Sequence, residues 1–247
     1  MRVAVAGASG NIGRRTVKVL ELAGHEVVPI SRSSGVDLAA ETGLDEALDG
    51  VGAVVDAVNG GAATLQETVA WFAGTTRHLL EAEVRCGVRH HVLLSIAGLH
   101  RVEGNAHYAG KREQERLVAE GTVPWTILPA TQFHDFAEMV ARRAAKDGVA
   151  PVAPLLLQPV APDDVAVVLA ELAVAEPQGR YADLAGPGPQ DLVDMARRTL
   201  AARGEELTLV PTWDGPFGVE MAGNVLLAGP GARIAPTTFE AWLAEQH

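Results

Sequence analysis

Along the first half of the chain, apolar residues come in short runs, and between those runs they recur at helical spacing. Val3 to Ala6 is a compact apolar run that predicts a strand. Ile12 to Ala23 places Val17, Leu20 and Ala23 near the period of an amphipathic helix, and Gly24 is a fitting stop. The alternation continues with strands predicted over 27–30, 53–58, 91–95 and 125–128. Helices are predicted over 44–48, over 64–84 with Gly87 as terminator, and over 111–119. Strands alternating with helices imply right-handed crossovers and a doubly wound α/β fold with a mostly parallel sheet.

The second half is less regular. Residues 132–146 have a helical pattern, and 150–160 are apolar and proline-rich. Pro162-Asp163-Asp164 opens a helix to about residue 175, with proline just inside the start and acids facing the positive end of the dipole. A strand over 181–185, a helix over 190–202, a strand over 207–210 and a terminal helix over 239–245 complete the expectation. Repeats and low-complexity linkers are absent from the sequence. We therefore expect a core over 1–150 and a smaller substrate lobe over 151–247, continuous with it in one structural domain.

Composition narrows the function classes. With 247 residues, 48% of them apolar and 21% charged, the chain can bury a sizeable core without staples. A net charge of −11 argues against a nucleic-acid binder, which needs a basic face. The single Cys86 excludes an internal disulfide framework and a multi-cysteine metal site. The apolar stretches are too short to span a membrane, and the amino terminus lacks the apolar region of a signal peptide. The expectation is a cytoplasmic protein acting on a small molecule, with no nucleic-acid or membrane partner. Homo-oligomerisation is left open.

The densest chemical signal is Gly7-Ala8-Ser9-Gly10-Asn11-Ile12-Gly13, between the first strand and the first helix. Glycines there permit a tight turn and close approach of backbone amides to a pyrophosphate, and the helix start presents unpaired donors to negative charge. The spacing is G-x-x-G-x-x-G rather than the G-x-G-x-x-G of ordinary dinucleotide-binding dehydrogenases. After the second strand the chain reads Ile30-Ser31-Arg32-Ser33-Ser34, with no acid before Asp37. A carboxylate there would bond the ribose hydroxyls of NAD, whereas the Arg32 guanidinium suits a 2′-phosphate and Ser33 adds a hydroxyl. This favours NADP(H). Asn59-Gly60-Gly61, after the third strand, is either a second backbone approach to the cofactor or a plain turn.

Five segments together resemble the atypical or extended short-chain dehydrogenase/reductases, close to the NmrA-like NAD(P)H-binding group. They are the loop Gly7 to Gly13, Val36-Asp37-Leu38 with the stretch 44–55, the stretches 74–82 and 87–95, the segment 107–115, and Val123 to Phe133. A weaker match covers 158–166. The resemblance spans about residues 1–175 and implies a Rossmann-like fold. It also implies adenine contacts from Asp37 and Leu38, and a reductase of a small carbonyl, quinone or enone. A non-catalytic NADP(H)-binding regulator and a non-redox dehydratase or isomerase are the rival readings.

The active-site segment departs from the family pattern. Family reductases place a proton-donating Tyr four residues before a Lys that binds the nicotinamide ribose. Here His107 stands four before Lys111, and Tyr108 stands three before it. Three readings stay open: His107 as donor, Tyr108 as donor after an irregular helix start, or neither. Ser95 ends the fourth strand where a catalytic hydroxyl is expected nearby, but Ile96 and Ala97 follow it. His90 and His91 read as structural, and the spacing of His100, His107 and His134 gives no support for a metal site. Thr131 to Phe136 follows the fifth strand and is either pocket lining or a packed helix start, and Trp213, Phe217 and Met221 line the pocket or merely pack.

Overall fold

Arg2–Ala6 forms strand β1, buried apart from its first residue. In this computed structural model, which describes residues 1–215 and 217–246, β1 lies between β2 (Glu26–Ile30) and β3 (Ala53–Asp56), parallel to both. β4 (His90–Ile96) and β5 (Trp125–Ala130) extend the sheet beyond β3, again in parallel. The crossovers are α1 (Asn11–Leu22), α2 (Leu44–Leu48), α3 (Leu65–Cys86) and α4 (Ala106–Glu120). Most positions of β1, β3, β4 and β5 are buried because helices cover both faces of the sheet. Pro29 is tolerated in β2 because that strand is the edge, where a missing N–H breaks no ladder.

The second half supplies α5 (Phe136–Ala144), β6 (Val149–Val152), β7 (Leu156–Leu157), α6 (Pro162–Val174), β8 (Gly179–Arg180), β9 (Leu184–Ala185), β10 (Gln190–Asp191), α7 (Leu192–Ala202), β11 (Thr208–Pro211), β12 (Arg233–Ile234) and α8 (Phe239–Leu243). The main sheet runs β12-β9-β5-β4-β3-β1-β2, with β8 also against β5. The chain leaves β1 toward β2 and returns on the other side to β3. That reversal opens a crevice at the carboxyl ends of β1 and β3, the place where open α/β sheets take ligands.

Packing follows the apolar pattern. Ile12 and Leu20 of α1 and Val165, Val168, Leu169 and Leu172 of α6 share one core with Val3, Val5 and Val92 of the sheet. On the opposite face Leu44, Leu48, Leu79 and Ala82 pack under β1 and β3. A separate cluster joins α5, α7 and α8 to Leu99, Val102 and Tyr108, so the core of the second half reaches into the start of α4. Among the described residues, no helix is long and apolar enough to cross a membrane.

Several boundaries differ from expectation for local reasons. The helix expected from Lys111 begins at Ala106, because the Asn105 side chain accepts the Tyr108 N–H at 3.1 Å and caps it. The irregular start suggested for Tyr108 is therefore absent. The third strand ends at Asp56, not residue 58, because the Asp56 carboxylate takes the Val58 amide at 2.9 Å. The helix expected from 132 starts only at Phe136. Before it the chain runs alongside 158–160, with the Val160 amide donating to the Gln132 carbonyl at 2.9 Å and the His134 amide to the Val160 carbonyl at 3.0 Å. The strand expected over 181–185 is reduced to Leu184–Ala185.

Candidate functional site

The phosphate loop is built as its glycines require. Gly7 has φ +78°, and a Cβ on it would come within 2.8 Å of the Ala57 carbonyl oxygen, so the loop lies directly against the chain leaving β3. A Cβ on Gly13 would meet the Gly7 oxygen at 2.1 Å. Gly10 is the N-cap of α1, with no side chain capping the turn. The amides of Asn11, Ile12 and Gly13 therefore have no intrahelical acceptor at the positive end of the dipole. Ser9 and Gly10 are exposed beside them. Such a cradle of uncommitted donors fits a pyrophosphate.

After β2 the chain makes a single tight turn over Arg32–Ser34, with Ser31 as its cap and Gly35 left-handed. The Ser34 hydroxyl donates to the Pro29 carbonyl at 2.8 Å, and Ser33 and Ser31 share a hydrogen bond of 2.9 Å. The hydroxyls hold the turn, while Arg32 is exposed and has no ion pair or side-chain hydrogen bond among the described residues. Asp37 does not face Arg32 in an ion pair; it accepts the Ala39 amide at 2.9 Å, and the Leu38 carbonyl meets His78 Nδ1 at 2.7 Å. Asn59 is exposed in the loop after β3, and Gly60 lies where a Cβ would strike the Trp71 ring at 2.4 Å.

Three residues of α4 diverge. Lys111 is buried, and its Nζ donates to the Leu94 carbonyl at 2.7 Å and to Gln114 Oε1. Gln114 Nε2 in turn donates to Asp56 Oδ2 at 2.8 Å. Beyond Asp56 the chain of polar groups continues to His91, 4.0 Å away, and from His91 Nδ1 to Glu83 at 2.8 Å. Burial lowers Lys111 to about 8, against the pull of Asp56 and Glu115. Burial also pushes the Glu83 carboxyl up, opposed by His91. The structure therefore points Lys111 inward. Asp56, Gln114 and Glu83, its partners directly or in relay, were not singled out in the sequence. The available signal was one acid inside the apolar run 53–58 and one on the buried side of a long helix.

His107 and Lys111 flank the same aromatic ring. The His107 ring lies 5.5 Å from that of Phe72, and Lys111 Nζ lies 5.7 Å from its centroid. Burial, and then the Lys111 charge, lower His107 to about 4, so its imidazole is neutral near pH 7. Tyr108 turns away toward the second half, where its hydroxyl accepts from Gln132 Nε2 at 3.1 Å. Burial pushes that hydroxyl up to about 12. Accepting from Gln132 leaves the Tyr108 proton uncommitted. Ser95 is buried at the end of β4, and its Oγ has no partner among the described residues.

The remaining histidine candidates have other partners. His90 bonds Thr126 at 2.9 Å, His100 bonds Glu115 at 3.0 Å, and His134 bonds the Thr237 carbonyl at 3.2 Å between Phe239 and Trp242. Among the described residues, no group of three metal-ligating side chains forms. Met221 is buried, Phe217 rests 5.7 Å from Phe136, and Trp213 is partly exposed. Asp135, within the segment after β5, reaches Asn11 of the phosphate loop at 2.6 Å.

A family model described as NAD(P)H-binding matches residues 32–176. Among solved structures, the chain is similar to an NADPH-dependent quinone oxidoreductase from Escherichia coli, with a TM-score of 0.72 and 17% identity over 98% of both chains. It is similar to a short-chain dehydrogenase/reductase superfamily protein from Agrobacterium tumefaciens with bound NAD, with a TM-score of 0.70 and 18% identity over 100% of this chain and 96% of that one. It is also similar to MoeE5 in complex with UDP-glucose and NAD, with a TM-score of 0.76 and 17% identity over 100% and 97%. Identities this low establish the shared Rossmann-like fold. No curated protein matches the chain.

Proposed function

The chain belongs to the NAD(P)H-binding family whose model spans residues 32–176, and from that premise we propose that it is an atypical short-chain dehydrogenase/reductase of the NmrA-like type, an NADPH-dependent reductase of a small carbonyl, quinone or enone. The observation that carries the cofactor choice is Arg32. It is exposed just after β2 and has no partner among the described residues, on a turn rigidified by Ser31, Ser33 and Ser34, where an NAD enzyme would place a carboxylate. The guanidinium fork there binds a 2′-phosphate through charge-assisted hydrogen bonds. The amides opening α1 hold the pyrophosphate, and Asp37, Leu38 and Asn59 border the rest of the dinucleotide.

When bound, the reduced nicotinamide supplies the hydride. Tyr108 donates a hydrogen bond, and then the proton, to the oxygen that gains charge. Its hydroxyl holds an uncommitted proton and is fixed by Gln132, which also stabilises the phenolate that remains. Ser95 Oγ, buried at the end of β4 and without a partner among the described residues, is a second donor toward the same end of the sheet. His107 is neutral and has little acid to offer near pH 7. Lys111 acts from within: its charge lies under α4 and is held in place by Leu94 and Gln114.

The test is NADPH oxidation followed with a panel of quinones, enones and ketones. Tyr108→Phe is expected to lower turnover about 100-fold or more, the usual worth of a positioned acid, while His107→Ala retains most of it. Loss in His107→Ala with full turnover in Tyr108→Phe would reverse the assignment. Tight NADPH binding with no turnover across the panel would favour a regulatory protein instead.

A further inference from the structure

Asp135 is the N-cap residue of α5, yet its side chain makes no capping bond there. Its carboxylate reaches across the cleft, and Oδ2 accepts from Asn11 Nδ2 at 2.6 Å. Asn11 is the first residue of α1, and its backbone amide is one of the uncommitted donors of the phosphate loop. A carboxylate therefore borders the feature of this fold that is shaped for an anion.

The charges around it do not neutralise it fully. From α1, Arg14 and Arg15 both turn toward Asn11 Oδ1, each at 3.4 Å. Arg15 is committed to Asp163 at the start of α6 by an ion pair of 2.5 Å. From the segment before α5, His134 is kept neutral by burial, with Nε2 facing the Thr237 carbonyl. Burial pushes the Asp135 carboxyl up from its ordinary value, and the Asn11 bond and Arg15 pull it back. A dinucleotide pyrophosphate arriving at the same helix end adds negative charge beside Asp135, and like charges at one site favour protonation of the weaker acid.

We propose that Asp135 sets the affinity of the dinucleotide site by competing with the cofactor phosphates for the amino end of α1, so that binding is accompanied by uptake of a proton from solvent at its carboxylate. The neutral acid keeps the Asn11 bond through its carbonyl oxygen and no longer repels the phosphates. Because NADPH and NADH share the pyrophosphate, Asp135 acts on both alike, unlike Arg32. This rests on the reading that the chain binds a pyridine dinucleotide. It does not rest on which one, or on turnover.

The sign follows from linkage. Bound phosphates raise the Asp135 value above that of the free protein, so affinity is greatest below the free value and falls as pH rises through the window between the two. Titration calorimetry of NADPH and NADH, in buffers of different ionisation enthalpy, counts the protons taken up. Wild-type protein is expected to take up a fraction of a proton with either cofactor, and Kd is expected to rise by up to about tenfold per pH unit within the window. Asp135→Asn keeps the shape and the contact with Asn11. It should abolish the uptake, tighten both cofactors severalfold at the upper end of the range, and flatten the pH dependence. Asp135→Ser should do the same if the amide disturbs folding, which circular dichroism would reveal. Cofactor binding without proton uptake in wild type, or the same uptake in folded Asp135→Asn, would overturn the proposal. Failure of wild type to bind either cofactor would remove the dinucleotide reading and this proposal with it.

Discussion

A methyl group on Gly13 would come within 2.1 Å of the Gly7 oxygen, whereas one on Gly10 would stand 3.1 Å from the same atom. Gly13→Ala is therefore expected to cost about 1–3 kcal/mol, the range for forcing volume into a packed site, and Gly10→Ala clearly less, both read by urea unfolding. Equal costs would mean that the loop can shift to absorb either methyl. Lys111 gives a second prediction at this scale. Its folded value of about 8 lies below the ordinary lysine value, so between the two the unfolded chain holds a proton that the folded chain has released. Stability from this group then grows as pH rises through that window. Unfolding of wild type and Lys111→Met over this range should show the rise in wild type alone, and parallel curves would contradict the buried position of Lys111. The glycine loop and the turn carrying Arg32 could be placed from the sequence because they depend on offsets of a few residues. The relay from Lys111 through Gln114 to Asp56 could not, because its last link joins positions 58 apart in the chain. Asp135 was hidden in the same way, since its partner lies 124 positions away.

At the scale of elements, α3 and α4 approach so closely that a Cβ on Gly110 would lie 2.3 Å from the Phe72 ring. Gly110→Ala should destabilise the protein by about 1–3 kcal/mol through overpacking, although alanine is the better helix former. A methyl on Gly74 of α3 would meet nothing within 4 Å, so Gly74→Ala should be neutral or mildly stabilising. Thermal or urea unfolding of the pair separates packing from propensity. The start of α3 was readable because Thr64 and Glu67 form a reciprocal cap, and its end because Gly87 adopts the left-handed conformation. Periodicity alone missed the first turn of α4, which the resemblance of 107–115 to the family's active-site helix reaches from His107 on. Ala106, Ala109 and Gly110 dilute the apolar period there, and the capping Asn105 follows a glycine in a stretch that reads as loop. The segment before α5 imitates a helix start in sequence, but its backbone bonds go to the neighbouring chain at 158–160.

For the whole molecule, the doubly wound order could be read from the alternation of runs, while the far edge of the sheet could not. β9 and β12 are two residues long each and carry no periodicity of their own; they exist because Leu184 and Ala185 find a register beside β5 and Arg233 and Ile234 beside β9. α6 contributes to integrity, since Val165, Val168, Leu169 and Leu172 complete the core beneath α1 and the sheet. A fragment of residues 1–150 lacks that helix and should show no cooperative unfolding transition by circular dichroism, where the full chain shows one. A cooperative transition in the fragment would mean that the amino-terminal half closes its own core. The proposed chemistry depends on a phosphorylated dinucleotide held by the glycine loop and Arg32. Calorimetric titration of NADPH and NADH into wild type and Arg32→Ala decides whether it is held there. Saturable binding is expected, with NADPH the tighter. Arg32→Ala should lose about tenfold or more in affinity for NADPH, the worth of a charge-assisted hydrogen bond, with NADH nearly unchanged. Folded wild-type protein that takes up neither dinucleotide, or an Arg32→Ala variant that weakens both equally, would contradict this role for Arg32 and the loop.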